Sequence, residues 1–164
     1  MDYQFQNKTI RLKENNLPKE DISFPTFEYQ ELIETDWEDS DFKNILESKF
    51  LFVFYQFEGA DLILRKVKFW NMSHSDILEA KNVWEEMVKT VSNGEIVKEV
   101  TDKGVRKTFF PKKTKNRISH VRPHARNAAD TYELPIADKL TGLTEYTKHC
   151  FWLNASYVKD EIYL

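Results

Sequence analysis

The sequence predicts a mixed α/β domain with α+β character. Two strand-length apolar runs flank a glycine turn, a long amphipathic helix follows them, and further strand-like runs lie on both sides of that helix. The 164 residues suit one domain, 1–164, with a real hydrophobic core.

Taken in order, Lys8 to Lys13, "KTIRLK", alternates polar and apolar residues and predicts a strand. "ENNLPKED" after it is turn chemistry. Phe27 to Ser48 is acidic, anchored by Trp37, Phe42, Ile45 and Leu46, with Ser40 placed to cap a short helix. Lys49 to Phe57, "KFLFVFYQF", is apolar almost throughout and predicts a central strand. "EGAD", with Gly59, suits a hairpin turn into Asp61 to Trp70, an alternating strand expected to be half exposed.

The clearest element is a helix from Ser75 to Ser92. Ser73 and Asp76 have capping-box spacing, and Ile77, Ala80, Val83, Trp84, Met87, Val88 and Val91 recur at helical intervals as a core-packing face. Asn93-Gly94 ends it. Short strands are expected at Lys107 to Phe110, Ile118 to Arg122 and Lys148 to Leu153. Asn154 is placed to cap a last short helix containing Tyr157 and Ile162.

With 41% hydrophobic and 14% aromatic residues the chain is globular, not disordered. It contains no apolar run of about eighteen residues, as a transmembrane helix requires. "MDYQFQNKT" is acidic and polar, unlike a signal peptide. Cys150 is the one cysteine, which excludes an internal disulfide and a multi-cysteine zinc site; it reads as a small buried apolar residue. A cytoplasmic protein fits these features.

The net charge of −3 conceals a polarised molecule. From Lys103 to Ala129 there is no Asp or Glu. Nine of the 24 basic residues fall in that window, leaving 15 for the rest of the chain against all 27 acids. Such asymmetry suggests a polyanion-binding face on an acidic body; a solvated basic loop is the plainer reading.

The window's centre is "ISHVRPHARNAAD". His120 and His124 are four apart but have Pro123 between them, and His149 is remote, so helical metal-ligand spacing is absent. No G-x-S-x-G elbow and no Gly-rich phosphate loop exists. Arginine and lysine neutralise phosphates, an Arg fork can grip the O6 and N7 edge of guanine, and Asn127 can contact adenine in the same bidentate way. Pro123 stiffens the segment holding Arg122 and His124.

"VRPHARNAADT", then "LP" and "TKHCFWLNASY", resembles the C-terminal region of GATC-specific restriction endonucleases of the Staphylococcus Sau type, a group related to the mismatch-repair nicking endonuclease MutH. "EDISFPTFEYQELIETDWEDSDF", "KFLFVF" and "FWNMSHSDILEAKNVWEEM" extend the resemblance from Lys8 to Tyr157. It implies the restriction-endonuclease fold, a mixed sheet flanked by helices. Sau-type enzymes hold two such copies, a catalytic N-terminal one and a DNA-binding, allosteric C-terminal one; this chain is similar to the second.

The resemblance implies that Arg122, His124, Arg126 and Asn127 line a DNA-reading loop. By the same resemblance Trp152 looks like the aromatic with which the nicking enzyme senses adenine methylation, Lys148 lies nearby in sequence, and Lys112, Lys113, Lys115 and Arg117 are expected to meet phosphates. It also implies partners: double-stranded DNA, the catalytic domain of the same enzyme, and a second copy on DNA; no membrane is expected. The family cuts with an Asp and a Glu-x-Lys strand holding magnesium, because hard cations prefer oxygen ligands. "TIRLKE" matches that strand and keeps Lys13, but Arg11 stands at the Glu position and Gln4 at the Asp position. No catalytic or metal residue is therefore expected here, and magnesium belongs to the catalytic domain. Two other readings stay open: a nuclease with relocated acids at Glu58 and Asp61, and an interaction module that docks through "ELIETDWEDSDF".

Overall fold

The computed structural model describes residues 5–164. Gln4, the expected Asp equivalent, lies outside them. In chain order the elements are β1 (Phe5–Leu12), β2 (Ile22–Thr26), α1 (Tyr29–Glu34), α2 (Asp41–Glu47), β3 (Lys49–Glu58), β4 (Asp61–Trp70), α3 (His74–Ser92), β5 (Val97–Val100), β6 (Arg106–Thr108), β7 (Ser119–Pro123), β8 (Thr131–Glu133), β9 (Glu145–Thr147), β10 (His149–Leu153) and α4 (Ala155–Tyr157). This is a mixed α+β fold, compatible with a restriction-endonuclease-like architecture.

The first sheet has the order β1-β3-β4, with β1 parallel and β4 antiparallel to the central β3. β3 is central as expected. Its inward side chains, Phe50, Phe52 and Phe54, are fully buried and stack along the strand with ring centroids 5.5 and 5.7 Å apart. The α3 stripe packs into the same core through Ile77, Ala80, Val83, Trp84, Met87 and Val91. Ser73 caps that helix by accepting the Asp76 N–H at 3.2 Å. Gly94 ends it with φ +65°, and a Cβ there would lie 2.9 Å from the Ala137 carbonyl oxygen.

β4 is half exposed, but its polarity is inverted. Lys66 and Lys68 point inward and donate to the carbonyls of Tyr163 and Ile162, while Leu62, Leu64, Val67 and Phe69 face solvent. The lysine stems cover apolar surface and their charged ends meet carbonyls that would otherwise lack donors.

The second sheet, β2-β10-β7, is antiparallel. The expected strands from Ile118 and from Lys148 both form, the first shifted by one residue and the second starting one residue later. β2 was hidden by Pro25, which cannot donate to a ladder; the β10 pairing skips from Ser23 to Thr26 around it. The Ser40-capped helix forms as α2, with Ser40 accepting the Lys43 N–H at 3.2 Å. Asn154 differs from expectation. It sits at the α4 N-terminus, but its side chain makes no capping bond, and the last turns, Val158–Tyr163, are π-helical. Cys150 is fully buried, and burial pushes its thiol pKa up to about 12, so it stays protonated. No helix of the described residues is long and apolar enough to cross a membrane.

Candidate nucleic-acid interface

β7 carries the motif out of the core. Ser119, His120 and Val121 are buried, and the chain emerges at Arg122, Pro123 and His124. Strand pairing fixes this exit, with Cys150 opposite Arg122 and Trp152 opposite His120. The His124 N–H then donates to the Lys148 carbonyl at 3.0 Å and holds the loop against the start of β10.

Aromatic and cationic side chains cluster on Trp152 at the exit. Trp152 packs with His120, whose ring is nearly parallel at 6.3 Å, and with Arg122, whose guanidinium sits 4.0 Å from the indole centroid. His124 meets the same indole edge-on at 5.5 Å. The Trp152 Nε1–H donates to the Arg122 carbonyl at 3.3 Å, fixing the backbone as well as the side chain. The guanidinium is planar, and contact with the indole ring restrains where its donors point, which is what base-edge recognition needs.

Asp21 was not foreseen as part of the site. Its carboxylate is 6% exposed and accepts from Lys113 and from the Ala155 N–H at 2.7 Å. Its other oxygen lies 3.4 Å from Arg122 Nη1 and 3.9 Å from His120 Nε2. Burial alone would raise its pKa, but the Lys113 and Ala155 hydrogen bonds outweigh burial and hold it below the usual carboxylate range. Asp21 is 101 residues from Arg122 in sequence, so no local pattern marks it.

His120 is a neutral core histidine. Asn154 donates to the carbonyls of Asn116 and Arg117, so its Oδ1 accepts from His120 Nδ1–H at 2.6 Å. Burial lowers the His120 pKa, and Nε2 has no hydrogen-bond partner among the described residues. Asn154 thus works as a polar bridge between β7 and the loop before it, in place of a helix cap.

The structure divides the expected site residues into two groups. Arg122, His124, Arg126, Asn127, Lys112, Lys113, Lys148 and Trp152 gather around the β7 exit and the β10 strand beside it. Arg126 is the most open, with a side chain 88% exposed and Nε 3.6 Å from Asp130; Lys148 holds the same carboxylate at 2.9 Å. Asn127 Oδ1 accepts the Ala129 N–H at 2.9 Å and shapes the turn. Four cations here share two carboxylates, so the surface keeps a positive surplus while its side chains are ordered.

Arg117 and Lys115 lie at the opposite end of β7. Arg117 is gripped by Asp76, Glu79 and Glu161 at 2.7, 3.0 and 3.2 Å, which raises its pKa further and joins α3 to the C-terminal turn. Lys115 borders α3 beside Glu85 and Glu86. Beside the β7 exit opens a cleft of about 800 Å³, with Phe110, Tyr146 and His149 among its walls and Arg106, Lys112 and Arg122 also lining it. Arg106, 4.6 Å from the Tyr146 ring centroid, was counted in the basic window but not singled out.

Among the described residues no three His, Cys, Asp or Glu side chains converge as a metal site. Arg11 lies on β1 with its guanidinium 5.4 Å from the Phe57 ring centroid, and Glu58 is paired with Arg65 at 3.1 Å in the β3–β4 hairpin. These residues do not fit a magnesium ion, which requires converging oxygen ligands.

No protein-family model matches the chain. It is 32% identical, over 184 aligned positions, to the type II restriction enzyme Sau3AI of Staphylococcus aureus. The alignment covers 94% of this chain and 37% of that enzyme, so the chain spans well under half the length of its relative. Over nearly its whole length, the chain is related to one part of a type II restriction enzyme.

Proposed function

We propose that this chain is a MutH-like module that binds double-stranded DNA by sequence, reading GATC, and leaves cutting to another unit. The observation that carries the reading is Arg122, placed over the Trp152 ring and beside Asp21 at the edge of a positively charged surface. Lys112, Lys113, Arg126 and Lys148 supply phosphate contacts around it, and His124 and Asn127 flank the reading position. In this reading the module is the allosteric effector of a cytoplasmic restriction enzyme. Its partner is a catalytic domain that holds magnesium, and DNA bound here shifts that domain toward its active state.

Supporting this are the restriction-enzyme relationship, the cationic face and the cation Arg11 where a family carboxylate is expected. A gel-shift titration of the purified chain tests it, using a GATC duplex and a scrambled duplex from about 50 to 200 mM salt. GATC is expected to bind at least roughly ten-fold tighter, the size of one good bidentate base contact. With about four phosphate contacts, log affinity should fall against log salt with a slope near −4. Equal affinity for both duplexes removes the sequence reading. Magnesium-dependent cleavage by the purified chain removes the non-catalytic role.

A further inference from the structure

We infer that Asp21 is the positioning residue that sets the specificity of Arg122. This inference rests on the DNA reading above. Asp21 stands just before β2, and β2 pairs with β10 so that Ile22 faces Leu153 and Ser23 faces Trp152. The register therefore delivers the carboxylate beside Trp152, the residue on which Arg122 stacks. One carboxylate then touches three parts of the surface: Lys113 from the loop after β6, Arg122 at the β7 exit, and the backbone that opens α4.

Two contacts hold the Arg122 fork. The Trp152 ring centroid lies 4.0 Å from the guanidinium carbon, and Asp21 accepts from Nη1 at 3.4 Å. A guanidinium has five N–H donors, and one contact to Asp21 leaves enough for a bidentate bond to a base edge. Without Asp21 the fork keeps its charge and its indole but loses its orientation. Attraction to phosphate depends on charge, whereas discrimination between bases depends on orientation. Asp21 therefore lowers general affinity, by placing a negative charge among cations, while raising selectivity.

The role predicts opposite signs for two measurements on Asp21→Asn, which removes the charge and keeps an oxygen for the Ala155 N–H. Discrimination between GATC and scrambled duplexes should fall about ten-fold or more. Affinity for the scrambled duplex should stay level or rise. Asp21→Glu, which restores the carboxylate, should recover part of the discrimination. A merely structural role would lower both affinities together, with a lower melting temperature. A wild type that fails to discriminate removes the DNA reading and this role with it. A discriminating wild type equalled by Asp21→Asn removes the role alone. If Asp21→Asn does not fold, ¹⁵N NMR of the free wild-type protein decides. A clamped Arg122 gives separate Nη signals that vanish in Arg122→Lys, and a single averaged signal overturns the role.

Discussion

The two three-stranded sheets hold together by different means. In β1-β3-β4 a ladder of phenylalanines fills the core face, and Leu62, Leu64, Val67 and Phe69 stand on the solvent face. In β2-β10-β7 the ends are tied by buried polar groups: Asp21 to Ala155, His120 to Asn154, and Ser119 to the Trp152 carbonyl. Apolar burial is non-directional, so the first sheet gives stability without fixing any one atom. Hydrogen bonds and ion pairs are directional, so the second sheet can hold a guanidinium at a set angle. Exacting geometry belongs to the sheet that carries Arg122.

Substitutions can break or sharpen this contrast. The largest effect is expected in the first sheet. Phe52→Ala removes a fully buried ring between two others and should cost about 3 to 5 kcal/mol, measured by urea denaturation, with DNA discrimination unchanged in the folded fraction. A loss below about 1 kcal/mol would mean that the ladder is not the source of stability.

The mirror experiment is Arg122→Ala. It should leave the unfolding free energy from urea curves within about 0.5 kcal/mol of wild type and cost about 1 to 3 kcal/mol of discrimination between duplexes. A large stability loss would show that Arg122 is structural.

The next effect distinguishes the sheets by pH. Burial pushes the His149 pKa down from 6.5 to about 4, with the Thr147 carbonyl partly opposing it. The unfolded chain then takes up a proton at a higher pH than the folded one. Stability is complete above about pH 6.5 and is lost as pH falls toward 4. By pH 5 the loss is about 2 kcal/mol. Asp21 and Asp138, whose folded pKa values are depressed, add to the loss only below the ordinary carboxylate range. Urea curves at pH 7 and pH 5 check this, and a midpoint that does not move would contradict a buried neutral His149.

The smallest effect is on the solvent face of the first sheet. Phe69 is 59% exposed, so Phe69→Ser should change stability by less than about 1 kcal/mol. A greater loss, read from the same urea curves, would mean that the ring is covered in solution.

Where patterns were local, the sequence was readable. The α3 stripe, the Ser40 and Ser73 caps, and the run Phe50, Phe52, Phe54 all follow from side-chain period and capping chemistry, because helices and strands repeat on the scale of a few residues. β2 was not readable, since Pro25 argues locally against a strand and only pairing with β10 accommodates it. The orientation of β4 was also hidden. Its alternation is plain, but which set faces inward was decided by carbonyls at Ile162 and Tyr163 that accept Lys68 and Lys66.

The site divides the same way. The sequence by itself determined the charge asymmetry, the stiff Arg122-Pro123-His124 segment and the cation Arg11 at an expected carboxylate position, because composition and residue type are local properties. Only the tertiary structure decided which cations are taken up by carboxylates, since Arg117 and Arg122 are equally exposed. Arg117 is held by three carboxylates from α3 and the C-terminal turn, while Arg122 is laid on Trp152 beside Asp21. Strand pairing brings those partners together from distant positions, and sequence spacing carries no record of that distance.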